Sequence, residues 1–73
     1  MYISRRDGRQ PAENAVRNWL INSGQLERVW HATDTEKEMW GLPDGLWVRF
    51  KYWQDFDDAY RVCNTPLLRC LAL

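Results

Sequence analysis

The strongest periodic pattern in the chain lies between residues 11 and 23. Apolar side chains recur there at spacings of three and four residues, which places them on one stripe of an α-helix. Pro11 suits the first helical turn, and Gly24 suits the position just after the last turn. The pattern therefore predicts a core-packing helix over residues 11–23. Its apolar stripe consists of Ala12, Ala15, Val16, Trp19 and Leu20.

The period of the pattern changes after Gly24. Residues 26–33 (LERVWHAT) have the β-branched and aromatic content that is typical of a strand. Alternation along this strand predicts that Leu26 and Trp30 face the helix and that Val29 faces outward. Residues 34–38 (DTEKE) are expected to form a polar turn, and residues 39–42 a short strand before the turn signal PDG.

Residues 46–53 (LWVRFKYW) form the best strand pattern in the sequence. Apolar and mixed positions alternate cleanly, so the side chains divide between two faces of the strand. One face is expected to pack against the helix and consists of Leu46, Val48, Phe50 and Tyr52. The other face consists of Trp47, Arg49, Lys51 and Trp53. Residues 54–58 (QDFDD) are then expected to turn the chain, and residues 60–64 (YRVCN) to return as a strand.

Connections this short favour antiparallel neighbours. The sequence therefore predicts an α+β fold in which one N-terminal α-helix packs on a three- to four-stranded antiparallel β-meander, in the order αβββ. Residues 1–10 (MYISRRDGRQ) show neither period and are expected to be a mobile basic arm. Residues 11–65 are expected to form a single α+β domain. Residues 66–73 (PLLRCLAL) form an apolar tail that either packs on the sheet or is a disordered segment that binds a partner.

Composition narrows the class of protein. The 73 residues suffice for one small domain, and 45% hydrophobic with 27% charged residues is typical of a globular chain. Ten basic residues balance ten acidic ones, so the net charge gives no general attraction to nucleic acid or membrane. No apolar run approaches the roughly 20 residues of a membrane span, and we expect a cytoplasmic protein. Without a secretory context, Cys63 and Cys70 are expected to be reduced thiols.

Candidate catalytic groups are few. His31 is the only histidine, and no acid partner is identified for it, so a structural role is favoured over that of a general base. Cys63 is expected to be a small buried side chain rather than a nucleophile. Asp55, Asp57 and Asp58 lack the glycine and the distal glutamate of an EF-hand loop, which favours a solvated turn over a cation site. We expect no enzyme activity, cofactor or metal.

The second face of the 46–53 strand has three interpretations. As a protein interface it offers tryptophan and arginine, which are enriched in binding hot spots. Alternatively, the chain's own tails cover the face, or its rings stack on the bases of single-stranded nucleic acid. Seven acidic against three basic residues between positions 34 and 58 oppose phosphate binding, so a protein partner is favoured. The residues predicted to contact it are Trp47, Arg49, Lys51, Trp53, Arg5, Arg6 and Arg9.

In layout, the chain resembles the small inhibitors that lytic bacteriophages make against host enzymes. The segments behind this resemblance are PAENAVRNWLINSG, LERVWHAT and LWVRFKYW. Within that group the chain looks like phage regulators that bind host bacterial RNA polymerase, block promoter recognition and permit read-through of terminators. The resemblance implies a protein partner in the host cytoplasm, and no functional residue is carried over from it.

Overall fold

A computed structural model describes residues 1–21, 24 and 26–72 of the chain. Four strands and three helices alternate along it. The order is β1 (Tyr2–Arg5), α1 (Glu13–Leu20), β2 (Leu26–His31), α2 (Asp34–Trp40), β3 (Gly45–Phe50), α3 (Trp53–Cys63) and β4 (Leu68–Leu71). The predicted α+β class and the antiparallel sheet are confirmed. The predicted order αβββ is wrong, because a strand comes first and helices separate the strands.

The four strands form one antiparallel sheet in the order β2-β3-β1-β4. Tyr2 pairs with Trp47 on one side of β1 and with Leu71 on the other. Strand β1 lies very close to β3 at Gly45. A Cβ atom at this position would stand 2.5 Å from the carbonyl oxygen of Ile3 and 2.6 Å from the Tyr2 ring. The central position of β1 makes the sheet a crossover arrangement rather than a meander.

Residues 1–5 are not a mobile arm. Strand β1 has hydrogen-bonded neighbours on both edges, and Tyr2 and Ile3 are fully buried. The backbone N–H of Val48 also donates to the carbonyl oxygen of Met1 at 2.8 Å. A segment buried on both faces shows no alternation, which is why its sequence resembles an irregular arm. The apolar tail is ordered from Leu68 to Leu71, where it forms the edge strand β4.

Helices α1 and α3 both cover one face of the sheet. Val16 and Leu20 of α1, and Ala59 and Cys63 of α3, pack on apolar side chains of the strands. Helix α1 is shorter than predicted at its start, because Ala12 is the N-cap and Pro11 precedes the helix. The predicted helix end at residues 22 and 23 lies outside the described residues. The sheet side chains in this core are Ile3, Val29, Leu46, Val48, Phe50 and Cys70.

The predicted facing of β2 is confirmed for Leu26, which packs against the core, and is wrong for Val29 and Trp30. A register shift between Leu26 and Arg28 marks a β-bulge, which changes the alternation along the strand. Val29 therefore joins the core opposite Val48, while Trp30 pairs with Trp47 on the other face of the sheet.

Residues 34–40 form helix α2 rather than a polar turn followed by a strand. Thr33 and Glu36 make a capping box: the Thr33 hydroxyl accepts from the Glu36 N–H, and the Glu36 carboxylate accepts from the Thr33 N–H, both at 3.1 Å. Gly41 ends the helix in the left-handed conformation at φ 64°. The segment DTEKE therefore carries the capping residues of a helix.

Residues 53–63 form helix α3, so the predicted turn at 54–58 and the predicted strand at 60–64 are both wrong. Strand β3 ends at Phe50, and Tyr52 is the N-cap of α3. Phe56, Ala59 and Cys63 follow the helical period and give α3 its core-facing stripe. Tyr52 is exposed and takes no part in the core.

A disulfide joins Cys63, at the end of α3, to Cys70 in β4, where the expectation was two reduced thiols. Both residues are buried, and their Cα atoms are 5.9 Å apart. The Asn64 side-chain oxygen accepts from the Cys70 N–H at 3.1 Å, which holds the same connection without the sulfur bridge. Within residues 1–21, 24 and 26–72, no helix has the length and hydropathy needed to cross a membrane.

Candidate protein-binding surface

The four residues predicted to share one strand face lie in three different places. Trp47 and Arg49 are on the sheet face opposite α1 and α3, Lys51 is in the bend after β3, and Trp53 is the first residue of α3. The split follows from the end of β3 at Phe50, since strand alternation does not continue into a helix. The predicted surface is therefore two surfaces, one on the sheet and one on α3.

Trp47 is largely a packing residue. Its ring meets the edge of Tyr2 at a centroid distance of 4.8 Å and stacks on Trp30 at 6.4 Å. Its indole N–H is buried and has no hydrogen-bond partner within the described part of the chain. The Tyr2 hydroxyl donates to the carbonyl oxygen of Pro43, so the segment after α2 covers this part of the sheet. Burial raises the pKa of the Tyr2 phenol above its ordinary value.

The rest of this sheet face carries cations. The Arg28 guanidinium lies 4.6 Å from the centre of the Trp30 ring. Arg49 is exposed and pairs with the Glu27 carboxylate at 3.1 Å. Arg69 of β4 pairs with Ser4 in the register and so lies on the same face. This face can hold an anion or a flat ring at the edge of Trp30.

The second surface is a row of three aromatic side chains on α3, Trp53, Phe56 and Tyr60, which we call the ridge. Trp53 stacks on Phe56 at 5.1 Å with an interplanar angle of 16°, and Phe56 stacks on Tyr60 at 6.1 Å and 6°. Phe56 also meets Phe50 edge-on at 6.3 Å, which anchors the row to the core. Trp53 is 78% exposed at the outer end of the row.

Charges surround the ridge. Lys51 lies over the Tyr52 ring at 5.5 Å, at the start of α3. Asp57 pairs with Arg61 one turn later at 3.0 Å. Three aspartates against one arginine give helix α3 a net charge of −2. The ridge is thus an apolar strip on an acidic helix with one cation at its N-terminal end.

The three predicted arginines of the first ten residues make polar contacts with Asp7 and Thr65. Arg5 forms a two-point ion pair with Asp7, with N···O distances of 3.1 and 2.6 Å. The Arg9 N–H donates to the same carboxylate, and this hydrogen bond and Arg5 hold the pKa of Asp7 below its usual value. Arg6 donates its Nε–H to the carbonyl oxygen of Thr65 at 2.8 Å.

Beside this cluster runs an apolar groove between α1 and the segment that enters β4. Its volume is about 670 Å³, which is within the range of ligand pockets in proteins. On the α1 wall of the groove, the small side chains of Ala12 and Ala15 leave space, and Trp19 lines another part of the same wall. The lining residues are Arg5, Pro11, Ala12, Ala15, Val16, Trp19, Thr65, Pro66, Leu67 and Leu68.

Groups for catalysis do not converge at either surface or at the groove. The His31 Nδ1 atom lies 3.1 Å from the Gln10 side-chain amide and has no acid partner among the described residues. In the part of the chain that the structure describes, no three His, Cys, Asp or Glu residues are placed to hold a metal ion. What the arrangement offers chemically is contact: exposed rings, a short cationic face and an apolar groove.

Sequence reasoning missed Phe56 and Tyr60. Their spacing from Trp53 is i, i+3 and i+7, the pattern by which helices present anchors to a groove, and this signal is present in the sequence. The groove has no such local signal, because its walls are far apart in the chain. No family model, curated protein or solved structure matches this chain.

Proposed function

We propose that this chain is a non-enzymatic regulator that binds a large bacterial host protein, with RNA polymerase as the expected target, and that the ridge is its main contact surface. One observation carries the proposal: a tryptophan that is 78% exposed stands in a row of stacked rings on a helix. Exposure of this apolar surface to water costs free energy in the free protein, and burial against a partner removes that cost.

The ridge has the properties of a binding hot spot. Tryptophan and tyrosine are enriched among the residues that dominate interface energies. The stacking of Trp53 on Phe56, and the edge-on contact of Phe56 with Phe50, fix the ring orientations before binding, so little side-chain entropy is lost in the complex. A partner that offers an apolar groove would receive Trp53, Phe56 and Tyr60 as successive helix anchors.

The cations of the predicted surface contribute at its margin. Lys51 is exposed next to the N-terminal end of the ridge, and Arg49 is exposed at the end of β3. Charges at an interface rim mainly change the association rate and its salt dependence. We therefore assign partner contact to Trp53, a rim role to Lys51 and a packing role to Trp47, while Arg49 belongs to the separate surface on the sheet.

In the host cytoplasm, a protein of this kind would inhibit transcription initiation by occupying a surface that a sigma factor or a promoter element needs. It would act as an antiterminator if its binding favours the elongating conformation of the polymerase. This part of the proposal comes from the resemblance to phage regulators, and the ridge supplies the contact surface for it.

The test is binding of the purified chain to purified bacterial RNA polymerase, measured by biolayer interferometry and by run-off transcription. Trp53→Ala should weaken binding by about 30-fold or more, as removal of a hot-spot tryptophan does. Trp40→Ala is the matched control, because Trp40 is also exposed, at 60%, but lies on α2. Absence of binding by the unmodified chain would refute the polymerase as target, and equal effects of the two substitutions would refute the ridge.

A second candidate function, binding of single-stranded nucleic acid, is favoured by the sheet face that carries Arg28 over Trp30, Arg49 on the neighbouring strand, and Arg69 on the far edge strand β4. A base can stack at Trp30 while the arginines contact phosphates. Titration with labelled oligonucleotides at two salt concentrations tests it. Micromolar affinity that falls steeply with salt and is lost in Trp30→Ala supports this function, and salt-independent or absent binding rejects it.

A further inference from the structure

The ridge and the groove are both apolar, and they carry opposite charge. Helix α3, which bears the ridge, has a net charge of −2. At the groove, Arg5 lines the wall, Arg6 donates to Thr65 of the opposite wall, and Arg9 and Arg5 share Asp7. Arg9 makes this contact through its backbone N–H, so the side chains placed at the groove margin are Arg5 and Arg6 against Asp7, a net charge of +1. An acidic helix with protruding rings therefore suits an apolar groove with a basic margin.

The groove is also shaped for large side chains from outside. The two alanines of α1 that line it, Ala12 and Ala15, are exposed, so nothing within residues 1–21, 24 and 26–72 fills the space above them. Leu67 on the opposite wall is 71% exposed. The ridge cannot fill this groove within one molecule, because α3 is fixed to the core through Phe56, Ala59 and Cys63. A ridge that enters the groove must come from another molecule.

The area of one such contact is small. Rings bury about 150–250 Å² each when fully covered, and the exposed fractions of the ridge rings reduce one ridge-in-groove contact to about 400–750 Å² in total, counting both partners. Stable interfaces bury roughly 1,200–2,000 Å². A pair of identical contacts related by a two-fold axis reaches this range, whereas a single contact does not. The ridge lies on α3 and one wall of the groove lies on α1, and both helices cover the same face of the sheet. Two copies that exchange ridge and groove need both surfaces on the same side of the molecule.

We infer that the protein forms a symmetric dimer in which the ridge of each copy occupies the groove of the other. The dimer buries Trp53 and so competes with any other partner of the ridge. The dimer is therefore an inactive form of the protein, and dilution releases monomer that can bind a partner.

The experiment is sedimentation velocity of the full chain over a concentration series. We expect a monomer at about 1 µM and a dimer at about 100 µM, the behaviour of a weak interface at the low end of the size range. Ala15→Glu places a charge in the groove, and Asn14→Glu is its matched control, since Asn14 is exposed on the same helix and does not line the groove. Trp53→Ala removes the ridge end, with Trp40→Ala as its control.

The expected result is that Ala15→Glu and Trp53→Ala each raise the dimer dissociation constant by about 30-fold or more, while the two controls leave it unchanged. In an equimolar mixture of the two disruptive variants, one intact ridge meets one intact groove, so the mixture should associate more tightly than either variant alone and less tightly than the unmodified chain. Far-UV circular dichroism of each variant checks that it is folded, and amide chemical shifts of Ala12 and Leu67 should change on dilution of the unmodified chain.

A chain that stays monomeric at about 1 mM would overturn the inference, because the contact would then be too weak to matter. So would a dimer that survives Ala15→Glu, or a mixture that associates no more tightly than either variant does alone. The proposed function has a separate outcome: Ala15→Glu leaves the ridge intact, so it should bind RNA polymerase as well as the unmodified chain or better. Loss of polymerase binding in this variant would count against the ridge as that contact, whatever the dimer does.

Discussion

Reduction of the Cys63–Cys70 disulfide is a perturbation whose size follows from the structure. The bridge joins residues at a sequence separation of 7, so it closes a ring of only a few residues in the unfolded chain. For a ring of about eight residues, the loop-entropy relation gives about 2.5 kcal/mol of stabilisation at 25 °C. Both cysteines are buried in the core, and reduction adds only hydrogen atoms, so most of the change arises in the unfolded state.

For a chain of this length, the same free energy corresponds to a lowering of Tm by about 10–20 °C. The assay is thermal unfolding followed by circular dichroism, with and without a phosphine reductant, after intact mass has established whether the thiol hydrogens are present. The double substitution Cys63→Ala with Cys70→Ala is the control, because its Tm should not respond to the reductant.

The reduced protein should still be folded at 25 °C, because the hydrogen bond from the Cys70 N–H to Asn64 and the pairing of β4 with β1 remain. This matters for the proposed function, since the bacterial cytosol keeps thiols reduced. An equal Tm in both redox states would refute the loop-entropy reasoning. Complete unfolding on reduction would instead contradict a role of the reduced protein in the cytoplasm.

Three further predictions concern the centre of the sheet. Trp47→Ala should lower the free energy of unfolding by about 2–4 kcal/mol in urea denaturation, because it removes the ring contacts with Tyr2 and Trp30. A loss below about 0.5 kcal/mol would contradict the packing role and favour Trp47 as a partner-binding residue. Gly45→Ala should cost about 1–3 kcal/mol in the same assay, because the added Cβ meets the Ile3 carbonyl oxygen, and a neutral effect would contradict the close approach of β1 and β3. The free energy of unfolding should fall as the pH rises above 10, because burial raises the pKa of Tyr2 in the folded state and the stabilisation present below 10 is lost toward that higher value. Urea denaturation at pH 8 and 11 should show a smaller alkaline loss for Tyr2→Phe than for the unmodified chain. An unchanged pH profile in this variant would contradict the prediction.

The elements that sequence reasoning found are those with one buried face. Helix α1 and strands β2 and β3 alternate apolar and polar residues with their own period, and their existence is evident from local windows. Strand β1 has neither period, because its side chains are buried on both sides and its partners lie far along the chain. A short strand of this kind is specified by pairing with Gly45 and Leu71, which no local window contains.

Helix α3 was hidden for a different reason. Its first half (WQDFDD) resembles an acidic turn and its second half (YRVC) resembles a strand, because aromatic and β-branched residues favour extended structure. The helical stripe formed by Phe56, Ala59 and Cys63 becomes visible only when the two halves are taken together. This one error also moved the candidate site, since it left Trp53 on a strand with Trp47 instead of on a helix with Phe56.

The place of β1 in the sheet has a consequence for how the molecule reaches its fold. β1 is the first strand in the chain, yet it pairs with β3 and with β4, so it joins two parts of the sheet that otherwise do not touch. Contacts between residues so distant in the chain close late and slow the folding reaction. During synthesis, β1 can pair with β3 first, and its other edge stays unpaired until β4 has left the ribosome. The sheet is therefore expected to be complete only after β4 has emerged, and the interval before that is when the chain is most exposed to aggregation.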